Sequence, residues 1–212
     1  MNVICILLTW HSADAQPRIG MECYSMGPAW YSEPVSRVYS QDGQGNYGEI
    51  RYNYDAERTL GVSVGHSFSG GVVNGPGWSV TPMIGLVAGA TQGWSVGFNG
   101  SLERGGFSCS SADQLIGSVN GHGTAALYSW SEAGRQMDKL LYVGISIQGN
   151  CYAPAGWLIS VGPELRLCLR EWLFPVYFFQ PTAGKGYLLF GVEREWPLTA
   201  PIINHQKRTY NK

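Results

Sequence analysis

The chain has 212 residues, of which only 14% are charged, and its formal net charge is −1. A nearly neutral chain without a long basic run gives no reason to expect a nucleic-acid partner, and no run approaches the roughly eighteen consecutive apolar residues of a transmembrane helix. With 29 glycines, 12 tyrosines and 8 tryptophans, the composition favours one domain built from β-strands.

The first residues resemble the second half of a secretory signal. A short apolar core covers Val3–Leu8, and Ala13-Asp14-Ala15 fits the small-residue cleavage pattern, although no basic region precedes them. We therefore expect export, with residues 1–15 as the remnant of a signal peptide, and an ordinary N-terminal tail is the alternative. Residues 16–46 are rich in Pro, Gly, Ser and Tyr without a sustained period, so they are predicted to form an irregular segment.

From residue 48 onward, large apolar residues alternate with small or polar ones, which is the period of a β-strand whose two faces have different surroundings. The alternation weakens across residues 106–119. It is clear in residues 48–54, 60–68, 78–89, 94–103, 124–132, 141–148, 157–170, 173–180 and 187–196. The sequence therefore predicts about ten strands and no helix.

The composition of the polar face indicates which side of the strands points inward. That face consists mostly of Gly, Ser and Asn, whereas a soluble barrel would present many Lys, Glu, Thr and Gln to water. The other face carries large branched and aromatic side chains, as the lipid-facing side of a transmembrane barrel does. We predict an all-β protein with one closed antiparallel up-and-down transmembrane barrel at residues 47–196 and a C-terminal tail at residues 197–212.

Two sets of side chains follow from this orientation. The isolated charges of the polar face are predicted to form a lumen charge network that pairs and fills a narrow interior. Its members are Glu49, Arg51, Glu103, Glu164, Arg166, Arg170, Glu193 and Glu195. Closure of the predicted barrel would make the first strand, with Glu49 and Arg51, a neighbour of the last strand, with Glu193 and Glu195. Tryptophans near strand ends are predicted to form the aromatic girdle at the membrane interfaces, and these are Trp78, Trp94, Trp157 and Trp196.

Several segments of this region resemble the small outer-membrane β-barrel proteins of Gram-negative bacteria, of a Bacteroidota type whose role is poorly defined. The segments are GEIRYNYD, TLGVSVGHSF, WSVTPMIGLVAGATQGWSVGFNGSLE, LYSWSEAG and GYLLFGVEREW. The resemblance implies the bacterial outer membrane as location. It also implies contact with membrane lipids and lipopolysaccharide, and other envelope proteins as candidate partners.

Two stretches match the G-x-S-x-G pattern of a hydrolase nucleophile elbow, with Ser63 and Ser95 as the central serines. A nucleophile elbow is a strand-to-helix turn, whereas both serines lie inside strand-like alternation. We therefore interpret both as small inward residues. His66, next to Ser67, is the remaining candidate for a lipid-processing site, while His122 lies in a predicted turn.

The cysteines do not suggest a metal site. Removal of Cys5 with a signal peptide would leave four, which are Cys23, Cys109, Cys151 and Cys168. None of them is at C-x-x-C spacing, and both disulfides and isolated thiols remain open. No metal or other cofactor is expected.

These features predict a non-enzymatic envelope protein, structural or accessory to a larger complex, with at most a narrow pore. About ten strands give a lumen only slightly wider than an eight-stranded barrel filled by side chains. Two alternatives remain: a soluble secreted or periplasmic barrel that binds an apolar ligand, and a lipid-processing barrel enzyme that uses His66.

Overall fold

The computed structural model describes residues 17–27, 34–53, 58–72, 75–119, 126–152, 156–180 and 186–198. They form a single antiparallel sheet. Its strands are β1 (Arg18–Gly27), β2 (Val35–Gln41), β3 (Asn46–Tyr52), β4 (Thr59–His66), β5 (Phe68–Gly71), β6 (Gly77–Gly89), β7 (Gly93–Arg104), β8 (Phe107–Ser118), β9 (Ala126–Gln136), β10 (Leu141–Tyr152), β11 (Gly156–Leu169), β12 (Trp172–Phe179) and β13 (Tyr187–Pro197). Among these residues, no helix is long and apolar enough to cross a membrane.

The sheet closes into a barrel of twelve strands. Strand β1 pairs with β13, and the remaining strands pair in sequence order, except that β4 pairs with β6 and not with β5. Strands β4 and β5 both pair with β6, so they act as one barrel strand that is interrupted at Ser67. The predicted closed antiparallel barrel is confirmed, with twelve strands in place of about ten.

The additional strands come from residues 16–46, which were predicted to be irregular, and this prediction is wrong. Strands β1 and β2 lie there and complete the barrel. Their inward positions hold large side chains such as Glu22, Tyr24, Arg37 and Tyr39, where the other strands often have Gly or Ser. The contrast between the two faces is therefore weak, and the two-residue period of these strands is not apparent in the sequence. The predicted signal remnant and nearly all of the predicted tail lie outside the described residues.

The interruption at Ser67 explains a long turn that the alternation predicted between residues 69 and 77. The amide of Ser67 donates to the carbonyl of Gly45 at 2.7 Å, in the turn before β3. Because β3 begins at Asn46, opposite His66, the chain has no neighbour on that side beyond His66. Strand β5 therefore continues as a hairpin with β6 alone, and Ser69, Gly70 and Gly71 of this stretch belong to that hairpin.

The connections differ between the two ends of the barrel. One end, here called the short-turn end, has the turns at residues 42–45, 72–76, 105–106, 137–140 and 170–171, and both Arg18 and Pro197 lie there. The turn at Gly105 and Gly106 has φ of 57° and 80°, which suits a two-residue hairpin turn that needs glycine. The other end, the long-loop end, carries the connections 28–34, 53–58, 90–92, 119–125, 153–155 and 180–186.

The apolar face of the barrel points outward. Ile84 and Leu86 expose 64% and 71% of their surface, while Ser63 and Ser146, at 3% and 0%, are buried on the inside. This arrangement confirms the predicted orientation of the two faces. It is the reverse of what a soluble barrel with an apolar ligand inside requires, because such a barrel would place its apolar face in the interior.

Candidate functional site

The candidate functional site is the lumen, which contains a vestibule that opens at the short-turn end. Two adjoining cavities of about 290 and 390 Å³ form this vestibule. Both are lined by Arg18, Ser79, Ser101 and Glu103. Trp130 and Glu132 line the first cavity, and they lie deeper along β9 than Gln136 at the mouth.

A buried arginine connects the wall at β3 with the wall at β7 and β8. Arg51 is 2% exposed, and its Nε lies 2.7 Å from Oε1 of Glu49. Its other guanidinium nitrogens donate to Gln114 on β8 and to Asn99 on β7, each at 3.1 Å. The hydroxyl of Tyr47 donates to Glu49 at 2.8 Å. The ion pair itself lies within β3, and the hydrogen bonds of Arg51 to Gln114 and Asn99 bridge the lumen.

A second cluster lies on the opposite side, around Arg166 of β11. This guanidinium lies 2.5 Å from Glu164 and 3.0 Å from Glu132 of β9. It also lies over the ring of Tyr142, 5.0 Å from the ring centre. The hydroxyl of Tyr177 on β12 donates to Glu132 at 2.7 Å, so the cluster joins the four neighbouring strands β9 to β12.

Aromatic side chains fill the lumen beside this cluster. The rings of Tyr24 on β1 and Trp130 on β9 are 5.1 Å apart, although four strands separate β1 from β9 around the barrel. Tyr177 lies against Trp130 at 5.3 Å and stacks on Phe179 at 5.8 Å. All four rings are buried, and Tyr128 and Leu189 complete the group. We call this group the aromatic plug.

The charges near the mouth are held in separate pairs. Arg18 lies 3.2 Å from Glu195, which also accepts a hydrogen bond from the hydroxyl of Tyr39 at 2.8 Å. Arg37 forms an ion pair with Glu22. Among the described residues, the carboxylate of Glu103 has no ion-pair or hydrogen-bond partner, and Glu103 lines each of three cavities at this end.

The structure places most members of the predicted lumen charge network inside the barrel, but in separate clusters. Glu49, Arg51, Glu103, Glu164, Arg166, Glu193 and Glu195 all occupy inward positions. Arg170 does not, and its prediction is wrong. Strand β11 ends at Leu169, and Arg170 has φ of 59° in the turn, which takes its side chain out of the strand alternation.

The predicted contact between the first and last charged strands is also wrong. A barrel formed by residues 47–196 alone would place Glu193 and Glu195 beside Glu49 and Arg51. Strand β13 instead pairs with β1, and Glu193 accepts a hydrogen bond from Tyr24 at 2.8 Å. Two strands therefore separate these carboxylates from β3.

Several lumen residues were missed by the sequence analysis. On β1 and β2 the missed residues occupy alternate positions, as residues on one face of a strand do, but their large side chains make the contrast with the other face weak. Glu132, Gln114 and Asn99 also have the correct spacing, but nothing in the sequence links them to a charge on a distant strand. The missed residues that contact the clusters are Arg18, Glu22, Tyr24, Arg37, Tyr39, Asn99, Gln114, Glu132 and Tyr177.

The four predicted girdle tryptophans lie on the outer face, two at each end. Trp78 and Trp196 lie toward the short-turn end, and Trp94 and Trp157 begin strands at the long-loop end. Trp172 also lies at the short-turn end. The guanidinium of Arg194 is there 4.8 Å from the ring centres of both Trp172 and Trp196. That outward arginine is opposite Trp172, the first residue of β12, and is therefore close to the membrane interface.

The serine and histidine candidates do not form a catalytic group. Ser63 and Ser95 are both buried, on either side of Gly85 in the register of β4, β6 and β7. His66 points outward against the ring of Phe68 at 4.7 Å, whereas Ser67 points inward and accepts a hydrogen bond from Thr81. His66 and Ser67 are therefore on opposite faces of the wall, and His122 lies outside the described residues.

The described cysteines, Cys23, Cys109, Cys151 and Cys168, are all free thiols. Of the two readings left open, isolated thiols are thus the observed one. Cys168 faces inward and accepts a hydrogen bond from the side-chain amide of Gln136 at 3.6 Å.

Comparison with solved structures identifies the architecture. The chain is similar to the KdgM porin, with a TM-score of 0.54 and 12% sequence identity over 86% of this chain and 99% of that chain. The barrel has the fold of a porin. A second structure, the KdgM porin in complex with disordered oligogalacturonate, has a TM-score of 0.52 and 11% identity over the same shares. No protein-family model and no curated protein sequence matches the chain.

Proposed function

We propose that this protein is a non-enzymatic barrel of the Gram-negative outer membrane, with a structural or accessory role and a lumen closed by its own side chains. The outward apolar face, the tryptophans at both ends and the porin-like fold support the location. Membrane lipids and lipopolysaccharide are then its surroundings.

The observation that carries the proposal is the contact between facing walls of the barrel. Tyr24 meets Trp130, and Arg51 meets Gln114, across a lumen that would be open if these side chains lay along their own strands. The cavities at the short-turn end therefore form a vestibule that ends at these contacts. Buried networks whose members are paired also resist rearrangement, because an unpaired buried charge is costly.

The charge of the lumen argues against transport of a polyanion such as the oligogalacturonate found with KdgM. Glutamates outnumber arginines on the inward face, in the described part of the chain. They are Glu22, Glu49, Glu103, Glu132, Glu164, Glu193 and Glu195 against Arg18, Arg37, Arg51 and Arg166. A narrow lumen with excess negative charge repels a chain of carboxylates.

Membrane location is tested by fractionation of cells that express the full chain. The protein should remain in the outer-membrane fraction after a carbonate wash and should require detergent for extraction. Recovery in the soluble fraction without detergent would contradict the proposed location.

The closed lumen is tested by conductance of the purified protein in planar lipid bilayers. The wild-type protein should show no large stable openings. Replacing both rings of the central contact, Tyr24→Ala with Trp130→Ala, should raise the conductance, because the two walls would then no longer touch. Phe190→Ala removes an outward ring of similar size and should leave the conductance unchanged. Large stable openings of the wild-type protein would overturn the closed-lumen proposal.

A further inference from the structure

The outer face of the barrel has a polar region where β8 and β9 meet. Outward positions on these strands hold Ser111, Asp113, Ser129 and Ser131, which we call the β8–β9 polar patch. In the register, Asp113 is opposite Ser129 and Ser111 is opposite Ser131. Ser111 and Asp113 lie within residues 106–119, across which the alternation of the sequence weakens, because these two outward side chains are polar.

Asp113 lies closer to the middle of its strand than the other charged side chains that point outward. It is the seventh of the 12 residues of β8, and it lies between the levels that the register assigns to Trp78 and Trp94 of the girdle. The other charged side chains that point outward from described strands, which include Arg104, Arg135 and Arg194, lie within the last four residues of their strands. A carboxylate facing lipid at this depth is unfavourable unless another polar surface covers it.

The patch carries both an acceptor and donors. The hydroxyl of Ser111 donates to Asp113 at 2.7 Å and lies 2.9 Å from the hydroxyl of Ser131. Gly100, the partner of Ser111 on β7, carries no side chain, whereas the outward side chains of Phe98, Leu102 and Ile147 project around the patch. The patch is therefore a shallow polar depression within an apolar belt.

We propose that the β8–β9 polar patch is the interface with a second copy of this chain in the membrane. A two-fold axis through the contact of Ser111 with Ser131 would bring each Asp113 toward the hydroxyls of the other copy. Such an interface requires a self-complementary surface, and a patch with serine donors beside a carboxylate acceptor meets this condition. Small polar residues also allow close approach of two surfaces within a bilayer, where acyl chains offer no hydrogen bonds.

The inference rests on the proposed membrane location, so the first test uses intact membranes. Ser131→Cys is placed in a chain whose five native cysteines are replaced by alanine, and disulfide formation is induced with copper phenanthroline. We expect a cross-linked dimer at Ser131→Cys and none at Val38→Cys, which faces outward on the far side of the barrel. Equal cross-linking at both positions, or none at Ser131→Cys, would overturn the proposed dimer.

A second test measures the oligomeric state of the detergent-solubilised protein by native mass spectrometry. The wild-type protein should be dimeric, and Asp113→Leu should be monomeric while retaining its membrane fractionation. Ser40→Leu replaces an outward serine on β2 and should leave the dimer intact. A wild-type monomer that still fractionates with the membrane overturns the dimer alone, whereas a soluble protein overturns the membrane location. A stable complex with a different protein through this patch would likewise contradict a second copy as the occupant.

Discussion

At the scale of single residues, Asp42 organises the turn between β2 and β3. Its carboxylate accepts hydrogen bonds from the side chain of Asn46 at 2.7 Å and from the amides of Asn46 and Gln44 at 2.9 and 2.8 Å. The bond from the Asn46 side chain, followed by those from the backbone amides, lowers the pKa of Asp42 below its usual value. The ionised form therefore holds this turn.

The lowered pKa of Asp42 predicts how the stability of this turn changes with pH. Because the pKa of Asp42 is lower in the folded turn, its contribution is present above the usual aspartate pKa and is lost as the pH falls through the folded value. Amide hydrogen exchange at Gln44 and Asn46 should accelerate there beyond the intrinsic pH effect. Asp42→Asn should show fast exchange throughout without that extra pH dependence. Unchanged protection in the variant would contradict the assigned role.

Close approach of strands also depends on single glycines. Gly20 of β1 lies beneath the ring of Tyr39, where a Cβ atom would come within 2.1 Å of the ring carbon Cζ. A ring that covers a glycine on the adjacent strand is a known way to hold sheet register. Tyr39 is thereby directed toward Glu195, to which its hydroxyl donates. The arrangement of side chains at the mouth of the vestibule therefore depends on Gly20 as well as on the ion pair of Arg18 with Glu195.

At the scale of strands, the orientation of the two faces determines which substitutions the barrel tolerates. Ile84 and Ser79 lie on the same strand, with Ile84 outward and Ser79 on the vestibule wall. Ile84→Arg should lower the free energy of unfolding by about 2 to 4 kcal/mol, since it places a charge in the apolar belt. Ser79→Arg has room and nearby carboxylate in the vestibule, so we expect a loss below about 1 kcal/mol.

The comparison is made by reversible urea unfolding of the protein in lipid vesicles, with Ile84→Leu as the control for shape. Equal losses for the two arginine variants would show that the apolar face is not in contact with lipid. Both arginine substitutions are on β6, so an outward and an inward position are compared within one strand.

At the scale of the whole molecule, the excess of inward glutamates predicts the ion preference of an opened barrel. The variant that combines Tyr24→Ala with Trp130→Ala should conduct cations in preference to anions, because the lumen carries net negative charge. The reversal potential in a potassium chloride gradient measures this preference. Replacing the unpaired carboxylate, Glu103→Gln, should reduce it, while Arg194→Gln on the outer face should not. Anion preference would contradict the proposed electrostatics of the lumen.

Much of the fold could be predicted because strand alternation is a local property. The outward positions of Val62, Ile84 and Ile159, and the inward positions of Ser63 and Ser146, follow from the sequence and are confirmed by burial. The prediction failed where inward residues are as large as outward ones, as at Glu22 and Tyr24 on β1. A pattern of size and polarity cannot distinguish two faces that are both bulky.

The sequence by itself determined the β class, the apolar outer face, the positions of the tryptophans and the presence of charge in the lumen. Tertiary structure alone decided the number of strands, the exclusion of Arg170 and the partners of each charge. The reason is that the deciding contacts join residues far apart in the chain, as in Arg51 with Gln114 and Tyr24 with Trp130. Which side chains meet across the lumen depends on how the sheet closes, and closure through β1 and β13 is a property of the complete barrel.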